Sequence, residues 1–163
     1  MFTFGVLTVS DKGSRGERED ESGRTIIEMC QKLPAKLVRY DIVPDERVII
    51  EEKLREYADT PGINIIMTTG GTGVSPRDVT PEATRAVIDK ELPGYAEAMR
   101  SASFKKTPYA VLSRAVAGIR GQTLIVNLPG SPRAVRENLS VILPSLVHAV
   151  DKITGDESDC GTQ

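Results

Sequence analysis

The chain has no tryptophan, a single histidine and two cysteines, and only 4% of its residues are aromatic. So few flat side chains argue against a base-stacking surface for single-stranded nucleic acid. There is no excess of positive charge either. Basic residues number 21 and acidic residues 23, a formal charge of −2, the wrong sign for a general nucleic-acid binder. Cys30 and Cys160 lie far apart, and neither belongs to a Cys-x-x-Cys or Cys/His cluster, so the sequence signatures of structural zinc are missing. No apolar run approaches the roughly 20 residues of a membrane-spanning helix. The opening segment Met1–Ser10 is apolar but lacks the basic start of a secretion signal, and a charged stretch follows it at once from Asp11. The expectation is a cytoplasmic protein with neither nucleic acid nor membrane as a partner.

What is present is ordinary for a globular protein: 163 residues, 39% hydrophobic and 27% charged. A chain of this size buries roughly 70% of its unfolded surface and needs no disulfide to fold. One domain is expected over residues 1–154, with a loose polar tail at 155–163.

Phe2–Val9 is rich in β-branched and aromatic residues and reads as a buried strand. Ser10–Gly23 reads as a long polar loop, with Glu17–Glu21 as a solvated charge run. Ile26, Met29, Cys30 and Leu33 recur at helical spacing, and Val38, Tyr40 and Ile42 alternate as in a strand. A second helix covers Ile50–Ala58, and Ile63–Thr69 is a third strand. Thr80-Pro81-Glu82 reads as a helix start, with Thr80 as the cap, and the helix is expected to reach about Glu91. Further elements are a helix at Tyr95–Phe104, a strand at Leu124–Leu128 and a last helix kinked at Pro144. Val111–Arg120 reads as either a short strand or an irregular connection. Alternation of this kind implies a mostly parallel sheet with helices on both faces. In such sheets ligands bind at the carboxyl ends of the strands. The segments expected there are Ser10–Gly23, Pro44-Asp45, Gly70–Asp78 and Pro129–Pro132.

Gly70, Gly71 and Gly73, flanked by Thr69 and Thr72, read equally well as a phosphate cradle or as a bare strand-to-helix turn. The run is neither a P-loop nor a Gly-x-Gly-x-x-Gly fingerprint. Asp11, Asp45 and Asp78 are each, taken alone, ordinary turn acids. Together beside a glycine-rich loop they suit Mg²⁺, which takes one or two carboxylates and the phosphates of its substrate. Pro129, Gly130 and Ser131 form a second stiff turn, with Ser131 as a helix cap. His148 and Cys30 read as structural, and Arg24, Arg77 and Arg133 each reach far enough to meet a phosphate.

Six segments carry a family resemblance: Leu7–Asp11, Val43–Glu46, Thr68–Gly73, Arg77–Thr84, Leu112–Arg114 and Asn127–Pro132. With them the chain resembles the molybdopterin adenylyltransferases of the MogA/MoaB-like molybdenum cofactor biosynthesis family, whose domain also forms the G domain of gephyrin. Thr72 and the spacer Val74–Arg77 before Asp78 set it apart from the related competence-damage-inducible branch. The resemblance implies a three-layer α/β/α sandwich and transfer of AMP from ATP to molybdopterin with release of pyrophosphate. It implies Asp45 and Asp78 as catalytic acids holding Mg²⁺. It further implies Thr69–Gly73 and Pro129–Ser131 on the nucleotide, and Ser10, Asp11, Ser113 and Arg114 on the pterin. A homotrimer and a molybdate-insertion protein are the implied partners. The alternative reading is a non-catalytic molybdopterin carrier or trimeric scaffold of the same fold.

Overall fold

The structure is a computed structural model that describes residues 1–157. Cys160 and most of the expected tail lie outside the described residues. Six strands form one sheet: β1 (Phe2–Val9), β2 (Ala35–Val43), β3 (Ile65–Thr69), β4 (Lys90–Glu91), β5 (Ala117–Arg120) and β6 (Thr123–Leu128), in the order β2-β1-β3-β6-β5-β4. The first four in that order run parallel, and the β5 and β4 edge is antiparallel. The helices are α1 (Asp11–Ser14), α2 (Glu21–Cys30), α3 (Arg47–Asp59), α4 (Thr80–Val87), α5 (Pro93–Phe104) and α6 (Pro132–Ile153), with a 3-10 turn at Pro108–Leu112.

Period-two alternation divides the core. On one face Phe2, Phe4 and Val6 of β1 pack with Met67, Val126, Ile26 of α2 and Leu139 of α6. On the other, Leu7 and Val9 pack with Ile66, Ile125, Ile50 and Leu54 of α3 and Val87 of α4. Register then aligns the strand ends. Val9 sits beside Val43, Thr8 beside Thr69, and Thr69 beside Leu128. Ser10, Pro44, Gly70 and Pro129 therefore leave the sheet along one edge, as the alternating pattern requires.

Several expectations change. The stretch after Ser10 is not one long loop: Ser10 caps the single turn α1, and α2 begins at Glu21. Asp20 is not solvated but buried, because it caps α2. Thr80 does not cap α4. It is the first helical residue, and its hydroxyl donates to the Gly70 carbonyl at 2.9 Å. That helix stops at Val87, short of Glu91. Ile88 turns extended, the Asp89 amide donates to Ile119, and Lys90–Glu91 pair with β5, so sheet pairing overrides the helical pattern. The ambiguous stretch 111–120 resolves into the 3-10 turn, a connection and β5. The last helix, α6, contains Pro144, as expected.

Candidate functional site

The aligned strand ends open into a cleft of about 800 Å³. One wall is built from Thr69, Gly70, Gly71, Gly130, Ser131 and Pro132. Gly70 and Gly71 have φ of +95° and +67°, the left-handed region. A Cβ on Gly70 would lie 2.2 Å from the Val9 carbonyl, and one on Gly71 would lie 2.3 Å from the Thr80 hydroxyl. Only glycine fits both positions. The Thr69 hydroxyl donates to the Pro129 carbonyl at 2.6 Å and ties the two turns together. Ser131 accepts from the Ala134 amide at 3.2 Å and caps α6, as expected from the sequence.

The facing wall is Ser10, Gly13, Asp45 and the segment 18–22. Ser10 accepts from the Gly13 amide at 3.0 Å. The Asp11 amide donates to the Asp45 carboxylate at 2.9 Å, and the Asp45 amide donates back to the Asp11 carboxylate at 3.0 Å. This reciprocal clasp fixes both acids to their strand ends. Arg77 reaches over from the loop before α4 and forks onto Asp11 at 2.8 and 3.1 Å, with Glu46 at 2.9 Å. The Arg77 guanidinium holds the Asp11 carboxyl below the ordinary carboxylate range, with help from the Asp45 amide. Asp45 moves the opposite way. Burial pushes its carboxyl up, and the charges of Asp11 and Asp78 push it further.

The expected site residues fall into two groups. Ser10, Asp45, Thr69, Gly70, Gly71, Gly130 and Ser131 line the cleft, and Asp11 and Pro129 adjoin it through the bonds just described. Thr72, Gly73, Asp78, Ser113 and Arg114 stand behind the glycine turn. Asp78 accepts from the Ser75 amide at 2.9 Å and closes its own loop. Arg114 donates to the Gly73 and Asp78 carbonyls, each at 2.7 Å, and pairs with Glu82, while its amide donates to the Thr72 carbonyl at 2.8 Å. Arg100 in turn donates to the Ser113 and Ala115 carbonyls. Arg114 therefore braces the loop that carries Asp78.

Of the cleft residues not singled out from the sequence, two stand out. Asp20, 8% exposed, accepts from the Thr8 hydroxyl and the Tyr40 phenol at 2.5 Å each, from the Gly23 amide at 2.9 Å and from Ser22 at 3.2 Å. It pins the start of α2 to β1 and β2. An acid immediately before an apolar helical run is a capping signal, and that was its trace in the sequence. The other is Arg18, which lines the cleft from the connection between α1 and α2. Among the described residues, no group of three or more His, Cys, Asp or Glu side chains is arranged to hold a metal ion.

Residues 5–148 match the family model described as a probable molybdopterin binding domain. The chain is 46% identical over 155 residues to a molybdopterin adenylyltransferase of Helicobacter pylori, covering 94% of this chain and 88% of that one. It is 47% identical over 152 residues to a molybdopterin adenylyltransferase of Pyrococcus furiosus, covering 90% and 88%. Among solved structures, the molybdopterin biosynthesis enzyme MoaB of Thermus thermophilus superposes with a TM-score of 0.90 at 53% identity, covering 96% of this chain and 98% of that one.

Proposed function

The chain belongs to the molybdopterin-binding domain family, and we propose that it is a molybdopterin adenylyltransferase, transferring AMP from ATP to molybdopterin with release of pyrophosphate. The observation that carries this reading is the meeting of two stiff turns, Thr69–Gly71 and Gly130–Pro132, with the Asp45 carboxylate in one cleft. A terminal phosphate oxygen of the pterin forms a bond to the α-phosphorus of ATP. The bond from that phosphorus to the bridging oxygen breaks, and its electron pair leaves with pyrophosphate. No oxidant or reductant is needed. The protein's work is alignment of two anions and compensation of charge.

The cleft supplies the first of these. Gly70, Gly71 and Gly130 admit a phosphate close to the backbone. Ser10 and Ser131 each accept an amide as a helix cap, which leaves the hydroxyl proton of each to donate to a ligand. Ser10 and Asp11 serve the pterin side, and the glycine turns serve the nucleotide. Arg114 acts through the loop it holds, with Thr72, Gly73 and Asp78, and Ser113 precedes it on the pterin side.

Mg²⁺ fits the residues present. Asp45 lies half-buried among the charges of Asp11 and Asp78, which resist its ionisation, and a cation there relieves that cost. Asp45 faces the cleft and is the first choice of ligand; Asp78, one loop behind it, serves the ion's water shell. So few carboxylates suit an ion that completes its coordination with substrate phosphates and water. When bound, the ion supplies charge for the departing pyrophosphate.

We assign the protein to the cytoplasm; among the described residues no helix is long and apolar enough to cross a membrane. A homotrimer would cover Phe104, Tyr109, Val111 and Leu112, which are 56%, 77%, 65% and 48% exposed. A molybdate-insertion protein is the partner expected to take the product.

The test is pyrophosphate release from ATP with Mg²⁺, with and without molybdopterin, under anaerobic conditions. Pterin-dependent release and an adenylylated pterin by mass spectrometry are expected. Bound pterin with no release would replace this reading with that of a carrier or scaffold.

A further inference from the structure

Two polyanions have to enter this cleft, and its walls carry Glu19, Asp20, Glu21 and Asp45. The cationic side chains around the rim are mostly spent. Arg15 pairs with Glu17 at 2.9 Å, Arg24 with Glu19 at 3.7 Å, Arg77 with Asp11 and Glu46 at 2.8 and 2.9 Å, and Arg133 with Glu137 at 3.2 Å. Arg114 is committed to Glu82 and two carbonyls. Arg18 differs from all of them. It is the cationic residue among those lining the cleft, and among the described residues it makes no ion pair or hydrogen bond.

Its backbone is nevertheless placed. The Glu17 amide before it donates to the Lys12 carbonyl at 3.0 Å, and Asp20 after it is anchored by four hydrogen bonds. A guanidinium held at its root and left without a carboxylate offers a planar fork of donors to a phosphate. We propose that Arg18 receives a phosphate group of an incoming substrate, either the triphosphate of ATP or the terminal phosphate of the pterin. This rests on the adenylyltransferase reading for the identity of the substrates, not for the unpaired charge.

The experiment compares wild type with Arg18→Ala, Arg18→Lys and, as a control from the same connection, Arg15→Ala. Both positions are exposed, and thermal melts check that each variant folds. In pterin-dependent pyrophosphate release, Arg18→Ala raises one KM by about 10- to 100-fold, the loss expected for one charged hydrogen bond. Arg18→Lys falls between, because it keeps the charge without the fork. Arg15→Ala stays at the wild-type value. A rise in the KM for ATP assigns the contact to the triphosphate, and a rise in the KM for molybdopterin assigns it to the pterin phosphate. Unchanged constants in an active wild type overturn the proposal, as does an equal rise in Arg15→Ala, which would reveal only the field of the loop. If wild type releases no pyrophosphate, the adenylyltransferase reading fails separately. Calorimetric Kd values for ATP and molybdopterin then decide: weaker binding by Arg18→Ala supports the contact, and equal or absent binding overturns it.

Discussion

The neutral wall of the cleft, Thr69–Gly71 with Gly130–Pro132, and the charged wall, Ser10–Ser22 with Asp45, face the same space but are held by different forces. Excluded volume shapes the neutral wall. Gly70 and Gly71 touch the Val9 carbonyl and the Thr80 hydroxyl so closely that a methyl group has no place. Reciprocal side-chain bonds shape the charged wall: the Asp11–Asp45 clasp, the Arg77 fork and the four bonds onto Asp20. The first kind of wall has no spare room and little chemistry to lose. The second holds Asp45 at some electrostatic cost, so that carboxylate can be neutralised without collapse.

Asp45→Asn gives the sharpest break. Pterin-dependent pyrophosphate release is expected to fall about 10²- to 10³-fold, as on loss of one preorganised electrostatic group. The melting temperature holds or rises. The sign follows from the raised carboxyl of the folded protein. A carboxyl that ionises less readily folded than unfolded costs stability once the pH exceeds both values. At neutral pH the neutral amide removes that cost, and its oxygen still accepts from the Asp11 amide. A large drop in melting temperature would show that the charged wall is structural after all.

Gly71→Ala tests the opposite wall, with the opposite pattern. The left-handed backbone alone costs about 1–3 kcal/mol for an alanine, and the new methyl displaces the Thr80 hydroxyl from its place against the turn. Urea unfolding should show the loss. Gly130→Ala is the control. Its φ is not positive, and its Cβ would meet the Gly70 Cα at 3.4 Å, an ordinary contact. Equal losses in the two variants would mean that neither the left-handed backbone nor the close approach at Gly71 sets this wall.

The same division separates what the sequence made legible from what it did not. Strand ends such as Val9, Val43, Thr69 and Leu128 are marked by β-branched and apolar runs that stop at polar or glycine residues, so the rim and its neutral wall could be placed from local pattern. Ser131 announced its cap by position alone. The charged wall depends on residues brought together across the chain. Nothing local tells that Thr8 and Tyr40 converge on Asp20, from 12 and 20 residues away. Nor does it tell that Arg114 spends itself on a loop 36 and 41 residues upstream. The end of α4 is illegible for the same reason. Its helical periodicity is real, but Lys90–Glu91 find a partner in β5 that no local window contains.

The finest comparison sets one serine on each wall against the other. Ser131 and Ser10 both follow a strand's exit, both accept an amide three residues on, and both keep a hydroxyl proton for a ligand. What they cap differs. Ser131 opens a helix of 22 residues whose apolar face carries Val135, Leu139, Ile142, Leu146 and Val150 into the core. Ser10 opens a helix of 4 residues with none buried. Losing the cap from Ser131→Ala should therefore cost about 1 kcal/mol of folding stability, the usual figure for an N-cap. Ser10→Ala should cost less, because a single exposed turn can fray while β1 and its neighbours stay packed. Each removes one hydroxyl donor from the cleft, so both should weaken substrate binding while Ser131→Ala shifts the urea midpoint the more. An equal midpoint shift from Ser10→Ala would mean that the charged wall, like the neutral one, is locked into the core through its backbone.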